Sequence, residues 1–116
     1  MPEIMKIVKE EKFPVEKMVL DHAGEKTLDY RMGTGAMVGL SICFDKMPPE
    51  PAAQFVADNL DKIDRILINS ELAGEGNDYF TIPKVIFAMR NLGVDKATID
   101  KVCWENPKRM FNLPVD

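Results

Sequence analysis

The feature that most constrains the fold is an almost unbroken apolar run from Ala36 to Phe44, with the sequence AMVGLSICF. Apolar and polar residues do not alternate along it, and such runs are typical of parallel strands that are covered on both faces. Parallel strands need a crossover between them, usually through a helix. The run therefore predicts an α/β chain in which helices separate the strands.

Two further apolar runs, Met18–Leu20 and Arg65–Asn69, complete the predicted sheet. Helical patterns surround the three runs and are predicted at about 2–12, 27–32, 48–60, 79–91, from 95 onward and from 106 onward. This order predicts three parallel strands in one unit spanning residues 1–116. Because the edges of such a sheet carry unpaired backbone groups, we expect the chain to be a piece of a larger α/β structure.

Composition and charge exclude several classes of function. The 116 residues carry 15 basic and 19 acidic side chains without a basic cluster, which argues against a surface for binding nucleic-acid duplexes. No apolar stretch approaches about 18 residues, so no membrane span is predicted. Cys43 and Cys103 stand in apolar surroundings without a CxxC spacing and are expected to be free thiols in a reducing cytosol. We therefore expect a cytoplasmic globular protein.

Polar residues follow each predicted strand, at the end where function gathers in parallel α/β folds. These segments are Asp21–His22, Phe44–Lys46 and Ser70–Glu71. His22 is the only histidine of the chain; imidazole binds zinc-like metals and transfers protons at neutral pH, but a lone histidine is also often structural. If the strand stayed extended, Asp21 and His22 would point to opposite faces, so they are not expected to bind the same ion.

Glu71 follows the last strand directly. A carboxylate at this position could bind a metal or act as a general base toward water, and the alternative is a solvated acidic side chain. Glu75 and Asp78 belong to the next segment, GEGND, and are predicted to lie in a solvated turn. Gly33 to Gly35, with the sequence GTG, lacks the rest of a dinucleotide-binding fingerprint and predicts a turn.

Five segments occur in a specific order along the chain. They are VLDHAGEKTL, MVGLSI with a following KMPPEPAA, RILINSELAG, IPKVIFAMRNLGV and IDKVCWENPKRMFNL. Together they span about residues 4–113, and their order and spacing resemble the C-terminal part of a TatD-related metal-dependent hydrolase. The resemblance implies membership of the amidohydrolase-like superfamily of (β/α)8 barrels, and hence a partial TIM barrel made of strands six to eight.

The resemblance also implies which residues form a site. Family members carry a metal-binding His after strand six and a metal-binding or catalytic Asp after strand eight, and the matching positions here are His22 and Glu71. Glu71 departs from the family, which usually has Asp at this position. The additional methylene of Glu moves the carboxylate by about 1.5 Å. The first five strands, with the His-x-His pair and further ligands, are missing, whereas a catalytic zinc site typically needs three protein ligands.

These implications lead to two functional hypotheses. In the first, the chain is the C-terminal fragment of a hydrolase that uses zinc or a similar divalent metal to activate water, with Glu71 accepting its proton. Such a chain would be inactive alone, bind metal weakly or not at all, and need an N-terminal half-barrel partner or a homo-oligomer. In the second, it is a non-catalytic α/β interaction module that oligomerises or docks on a partner through its open sheet edges, and His22 and Glu71 have no role.

Overall fold

The computed structural model describes residues 2–72 and 78–115. In that part of the chain three strands form one parallel sheet in the order β1 (Val19–Leu20), β2 (Met37–Ile42) and β3 (Ile66–Ser70). The predicted α/β class with three parallel strands is confirmed, and the arrangement is consistent with part of a barrel.

Helices precede, connect and follow the strands in the predicted order. The α-helices are α1 (Pro2–Glu10), α2 (Leu28–Gly33), α3 (Pro49–Asp58), α4 (Thr81–Asn91), α5 (Lys96–Asp100) and α6 (Asn106–Met110). Short 3-10 segments cover Val15–Lys17, Glu25–Thr27 and Leu60–Arg65, and a π-helical turn covers Lys101–Glu105.

Local sequence signals explain where several of these helices begin and end. Asp95 caps α5 by accepting a hydrogen bond from the Thr98 N–H at 2.8 Å, as its position before the helix predicts. Gly93 follows α4 with a φ of 79°, a left-handed conformation that glycine adopts without a steric penalty. Within the described ranges, no helix combines the length and the apolar character needed to cross a membrane.

One face of the sheet packs against the helices. This face carries alternate residues of two strands, because side chains alternate between the faces of a sheet. They are Val38 and Leu40 of β2, which are paired in register with Ile66 and Ile68 of β3. They join α3 and α4 residues, among them Val56 and Val85, in the main buried apolar cluster. This packing buries one face of the sheet, and the main apolar cluster does not include the residues of the opposite face.

The opposite face changes from apolar to polar along the strands. Met37 and Leu67 are buried at its amino-terminal end, outside the main cluster. Gly39, Ser41 and Asn69 follow on the same face by strand alternation and by the pairing of β2 with β3. The carboxyl end of this face is therefore the polar end, which is where a site is expected in a parallel sheet.

The C-terminal helices cover the amino-terminal end of β3. Asn106 is fully buried and donates hydrogen bonds from Nδ2 to the carbonyl oxygens of Ile63 and Ile66, each at 2.7 Å. Arg109 donates to the carbonyl oxygen of Asp64 at 2.7 Å. The Asn106 side chain thus supplies a hydrogen-bond partner to the first residue of β3, and Asn106 and Arg109 hold the segment that precedes the strand.

Both cysteines are free thiols, as their spacing predicts. Cys43 is buried and Cys103 is partly buried. Burial, with a further contribution from Asp100, raises the pKa of the Cys103 thiol to about 11. Because the thiolate is the reactive form, Cys103 is a poor nucleophile at neutral pH and is not a candidate for catalysis.

Candidate functional site

The carboxyl ends of β1 and β3 bring together the two site residues that were predicted from the sequence. His22 follows β1, Glu71 follows β3, and the distance from His22 Nδ1 to Glu71 Oε2 is 3.7 Å. Strand β2 lies between them, and two strand spacings amount to about 10 Å. The side chains therefore meet across the end of β2, while their roles as metal ligands or base remain predictions.

The sheet itself sets the position of Glu71. Its N–H donates to the Ile42 carbonyl oxygen at 3.3 Å, which continues the pairing of β2 and β3 by one residue. The Glu71 side chain is 19% exposed, and its Oε2 is buried without a hydrogen-bond partner in the described residues. Lys46 Nζ lies 3.8 Å from the same oxygen. This carboxylate is thus sheltered between an imidazole and an ammonium group, unlike a solvated loop acid.

His22 owes its position to an unusual backbone conformation. Its φ of 55° lies in the left-handed region, which residues other than glycine seldom adopt. The expectation that Asp21 and His22 point to opposite faces required an extended strand, and the chain leaves that conformation at His22. Pairing resumes at Ala23, whose N–H donates to the Gly39 carbonyl oxygen at 3.1 Å. The His22 side chain is 56% exposed, so solvent and ligands can reach its imidazole.

A polar cluster next to these residues was not predicted from the sequence. Asp21 Oδ1 accepts hydrogen bonds from Ser41 Oγ at 3.1 Å and from Asn69 Nδ2 at 3.0 Å. Burial raises the pKa of the Asp21 carboxyl, but Asn69, the His22 backbone amide and Ser41 together hold this pKa below its usual value. Asp21 is therefore a carboxylate at neutral pH, and it joins the end of β1 to residues of β2 and β3.

Two sequence signals could have identified this cluster. Ser41 and Asn69 are polar residues inside the apolar segments AMVGLSICF and RILIN, and they are paired in the sheet. Gly39 precedes Ser41 by two positions and so shares its face. A glycine inside a strand often marks the close approach of other atoms, and here those atoms belong to Asp21.

The acidic residues after Glu71 do not extend the site as far as the structure describes them. Glu75 lies outside the described residues. Asp78 accepts a hydrogen bond from the Phe80 N–H at 2.8 Å and pairs with Lys84, which places it at the start of α4. Within residues 2–72 and 78–115, no group of three or more His, Cys, Asp or Glu side chains is arranged to hold a metal ion.

Comparison with known proteins finds a metal-dependent hydrolase. The chain is similar to an uncharacterized metal-dependent hydrolase of Methanocaldococcus jannaschii, with 29% identity over 112 residues. The match covers 96% of this chain and 43% of that protein, so the chain spans less than half of its relative's length. No family model and no solved structure matches. The similarity therefore relates nearly all of this chain to part of a longer protein that is named a metal-dependent hydrolase.

Proposed function

We propose that the chain supplies strands six to eight of a TatD-related metal-dependent hydrolase and that His22 and Glu71 are two of its metal ligands. The observation that carries the proposal is the 3.7 Å distance between His22 Nδ1 and Glu71 Oε2 at the carboxyl ends of the strands. Similarity to a metal-dependent hydrolase over 96% of the chain supports it. The remaining ligands would come from strands outside this sequence.

The chemistry of the two residues fits a divalent metal. Imidazole nitrogen and carboxylate oxygen are both zinc ligands, and two ligand atoms of a tetrahedral zinc lie about 3.4 Å apart. The observed 3.7 Å between Nδ1 and Oε2 needs little adjustment. Glu71 Oε2 is also buried without a hydrogen-bond partner among the described residues, and the imidazole and Lys46 stand 3.7 and 3.8 Å away, so a bound divalent metal would give this oxygen a direct contact.

The proposed reaction is the hydrolysis of an ester, phosphodiester or amide-type bond. When bound, a divalent metal activates water for this attack. Glu71 would hold the metal or accept a proton from water, since a carboxylate can do either. His22 would act through its neutral ring nitrogen. The chain contributes only two ligands in this proposal, whereas catalytic zinc sites typically use three, and we therefore propose that it is inactive alone.

Zinc titration of purified protein tests the metal site. We expect weak binding by the wild type, with a Kd of about 1 μM or higher, because two ligands without further support hold zinc poorly. His22→Ala should abolish most of this binding. Glu71→Asp should strengthen it if the shorter acid restores the family's geometry. Isothermal titration calorimetry measures zinc binding by all three proteins. Zinc binding should also weaken in acid, because protonated imidazole cannot bind a metal.

The matched control is Glu105→Ala, which removes an exposed carboxylate from the C-terminal segment and should leave zinc binding unchanged. If His22→Ala binds zinc as well as the wild type does, His22 is not a ligand. Tight stoichiometric binding by the wild type would contradict the proposal that further ligands are needed.

The proposal also predicts association, because the sheet would lack its neighbouring strands. The chain exposes 7349 Å², whereas a compact monomer of 13.1 kDa exposes roughly 6,400 Å². The larger exposed apolar side chains include Phe44, Tyr79, Phe80 and Phe87. Sedimentation velocity over a wide concentration range should show self-association, with dimers or larger species growing as concentration rises.

A monomer at every concentration would count heavily against the missing half-barrel and would contradict an interaction module that forms homo-oligomers. Association without any zinc binding would favour the interaction module. Zinc binding that strengthens when an N-terminal half-barrel is added would favour the hydrolase.

A further inference from the structure

The Asp21 carboxylate lies across the sheet instead of beside its own strand. It follows β1, yet Oδ1 accepts hydrogen bonds from Ser41 on β2 and from Asn69 on β3, at 3.1 and 3.0 Å. Asn69 is separated from Asp21 by the full width of β2. The carboxylate therefore connects three strands at the end of the sheet where His22 and Glu71 meet.

Gly39 makes this crossing possible. A Cβ atom at position 39 would lie 2.2 Å from Asp21 Oδ1 and 3.1 Å from Asp21 Cα. The first distance is shorter than any non-bonded contact, and the second involves backbone that cannot rotate away. A side chain at this position would therefore displace Asp21, which explains why a strand that is otherwise apolar contains a glycine on this face.

The backbone next to Asp21 is held from the other side by α2. Arg31 is buried and donates from Nη1 to the carbonyl oxygen of Leu20 at 3.0 Å, and also to that of Asp21. His22 comes next, in the left-handed conformation with a φ of 55°. Such a conformation is unfavourable for a residue with a side chain and persists only where its surroundings enforce it. Asp21, the residue just before this turn, is the one that Arg31, Ser41 and Asn69 all contact.

We propose that Asp21 is a positioning residue whose carboxylate, bound by Ser41 and Asn69 above Gly39, enforces the turn that holds the His22 imidazole beside Glu71. The inference deepens the proposed function, on which it rests, since His22 is the ligand that the turn would present to a divalent metal. Asp21 does not bind the metal in this scheme. It acts through the backbone that it shares with His22.

The test compares two glycine variants and two variants of the carboxylate. Gly39→Ala leaves every polar group in place but displaces Asp21, whereas Gly33→Ala is a matched control because its Cβ would meet nothing within 4 Å. Asp21→Ala removes the acceptor, and Asp21→Asn retains a side-chain oxygen that can accept from Ser41 and Asn69. Far-UV circular dichroism first establishes which variants fold. If Gly39→Ala or Asp21→Ala does not fold, Asn69→Ala takes its place.

Two readouts are measured on each folded protein. The first is the NMR spectrum of the imidazole in metal-free protein at one fixed pH, which reports on His22 alone because the chain has a single histidine. The second is the Kd for zinc alone. Gly39→Ala and Asp21→Ala should shift the ring signals, remove the nuclear Overhauser contacts between His22 and Glu71, and weaken zinc binding about tenfold or more. Asp21→Asn should keep most of the wild-type ring signals and most of the wild-type zinc affinity. Gly33→Ala should match the wild type in both readouts.

The two readouts separate the inference from the proposed function. If the wild type binds no zinc, either alone or with an added N-terminal half-barrel, the proposed function fails, but the ring signals still decide whether Asp21 positions His22. If the wild type binds zinc and Asp21→Ala changes neither readout, the positioning role is wrong. A loss of zinc binding with unchanged ring signals would also overturn it, because Asp21 would then be acting on the metal and not through His22.

Discussion

The Leu40→Ala variant should lose about 3 kcal/mol of its free energy of unfolding. Leu40 is fully buried at the centre of β2, the middle strand, and belongs to the cluster between the sheet and the helices. Truncating a buried leucine removes apolar contacts and leaves a cavity, at a combined cost of about 2–5 kcal/mol. Urea unfolding followed by far-UV circular dichroism measures the change.

Leu60→Ala is the matched control for this experiment. Leu60 is 51% exposed, so the same truncation should cost less than about 1 kcal/mol. Equal losses in the two variants would show that β2 does not form the centre of the core. Because natural domains are stable by only about 5–15 kcal/mol, the loss in Leu40→Ala would be a large part of the total.

The Asn106→Ala variant should lose about 2 kcal/mol. Asn106 Nδ2 donates hydrogen bonds to two carbonyl oxygens, those of Ile63 and Ile66, and the bond to Ile66 is buried. Leaving a buried acceptor without a donor costs about 1–3 kcal/mol, which exceeds the net value of a typical hydrogen bond. The measurement is again the midpoint and slope of urea unfolding.

The control for this second variant is Asn91→Ala, at an exposed position near the end of α4. It should change stability by less than about 0.5 kcal/mol. If Asn106→Ala were equally mild, water would be replacing the lost donor, and the C-terminal helices would not seal the end of β3.

The strands and helices were predictable from the sequence because their signals are local. The run AMVGLSICF contains β2, and Asp95 and Gly93 mark helix ends through their own backbone and side-chain geometry. The proximity of His22 and Glu71 was predictable for a related reason. Parallel strands end at the same edge of a sheet, so residues that directly follow them are brought to one rim.

The Asp21 cluster was not predictable in this way, because its hydrogen bonds join residues 20 and 48 positions apart. Nothing local indicates that the Asp21 side chain crosses β2, since this depends on which strand lies in the middle and on its register. The turn at His22 was missed for the same reason. A left-handed φ at a histidine has no strong local signal and persists through contacts made elsewhere in the fold.

Sequence patterns were thus sufficient for the α/β class, the strand order along the chain and the position of His22 and Glu71 after parallel strands. These depend on hydrophobic runs and on short-range stereochemistry, which are properties of neighbouring residues. The three-dimensional arrangement was needed to show that Gly39 makes room for Asp21, that Arg31 holds the end of β1 and that Asn106 covers the start of β3. Each of these contacts depends on the register and packing of distant segments, since a hydrogen bond or a steric clash exists only once the strands and helices are assembled.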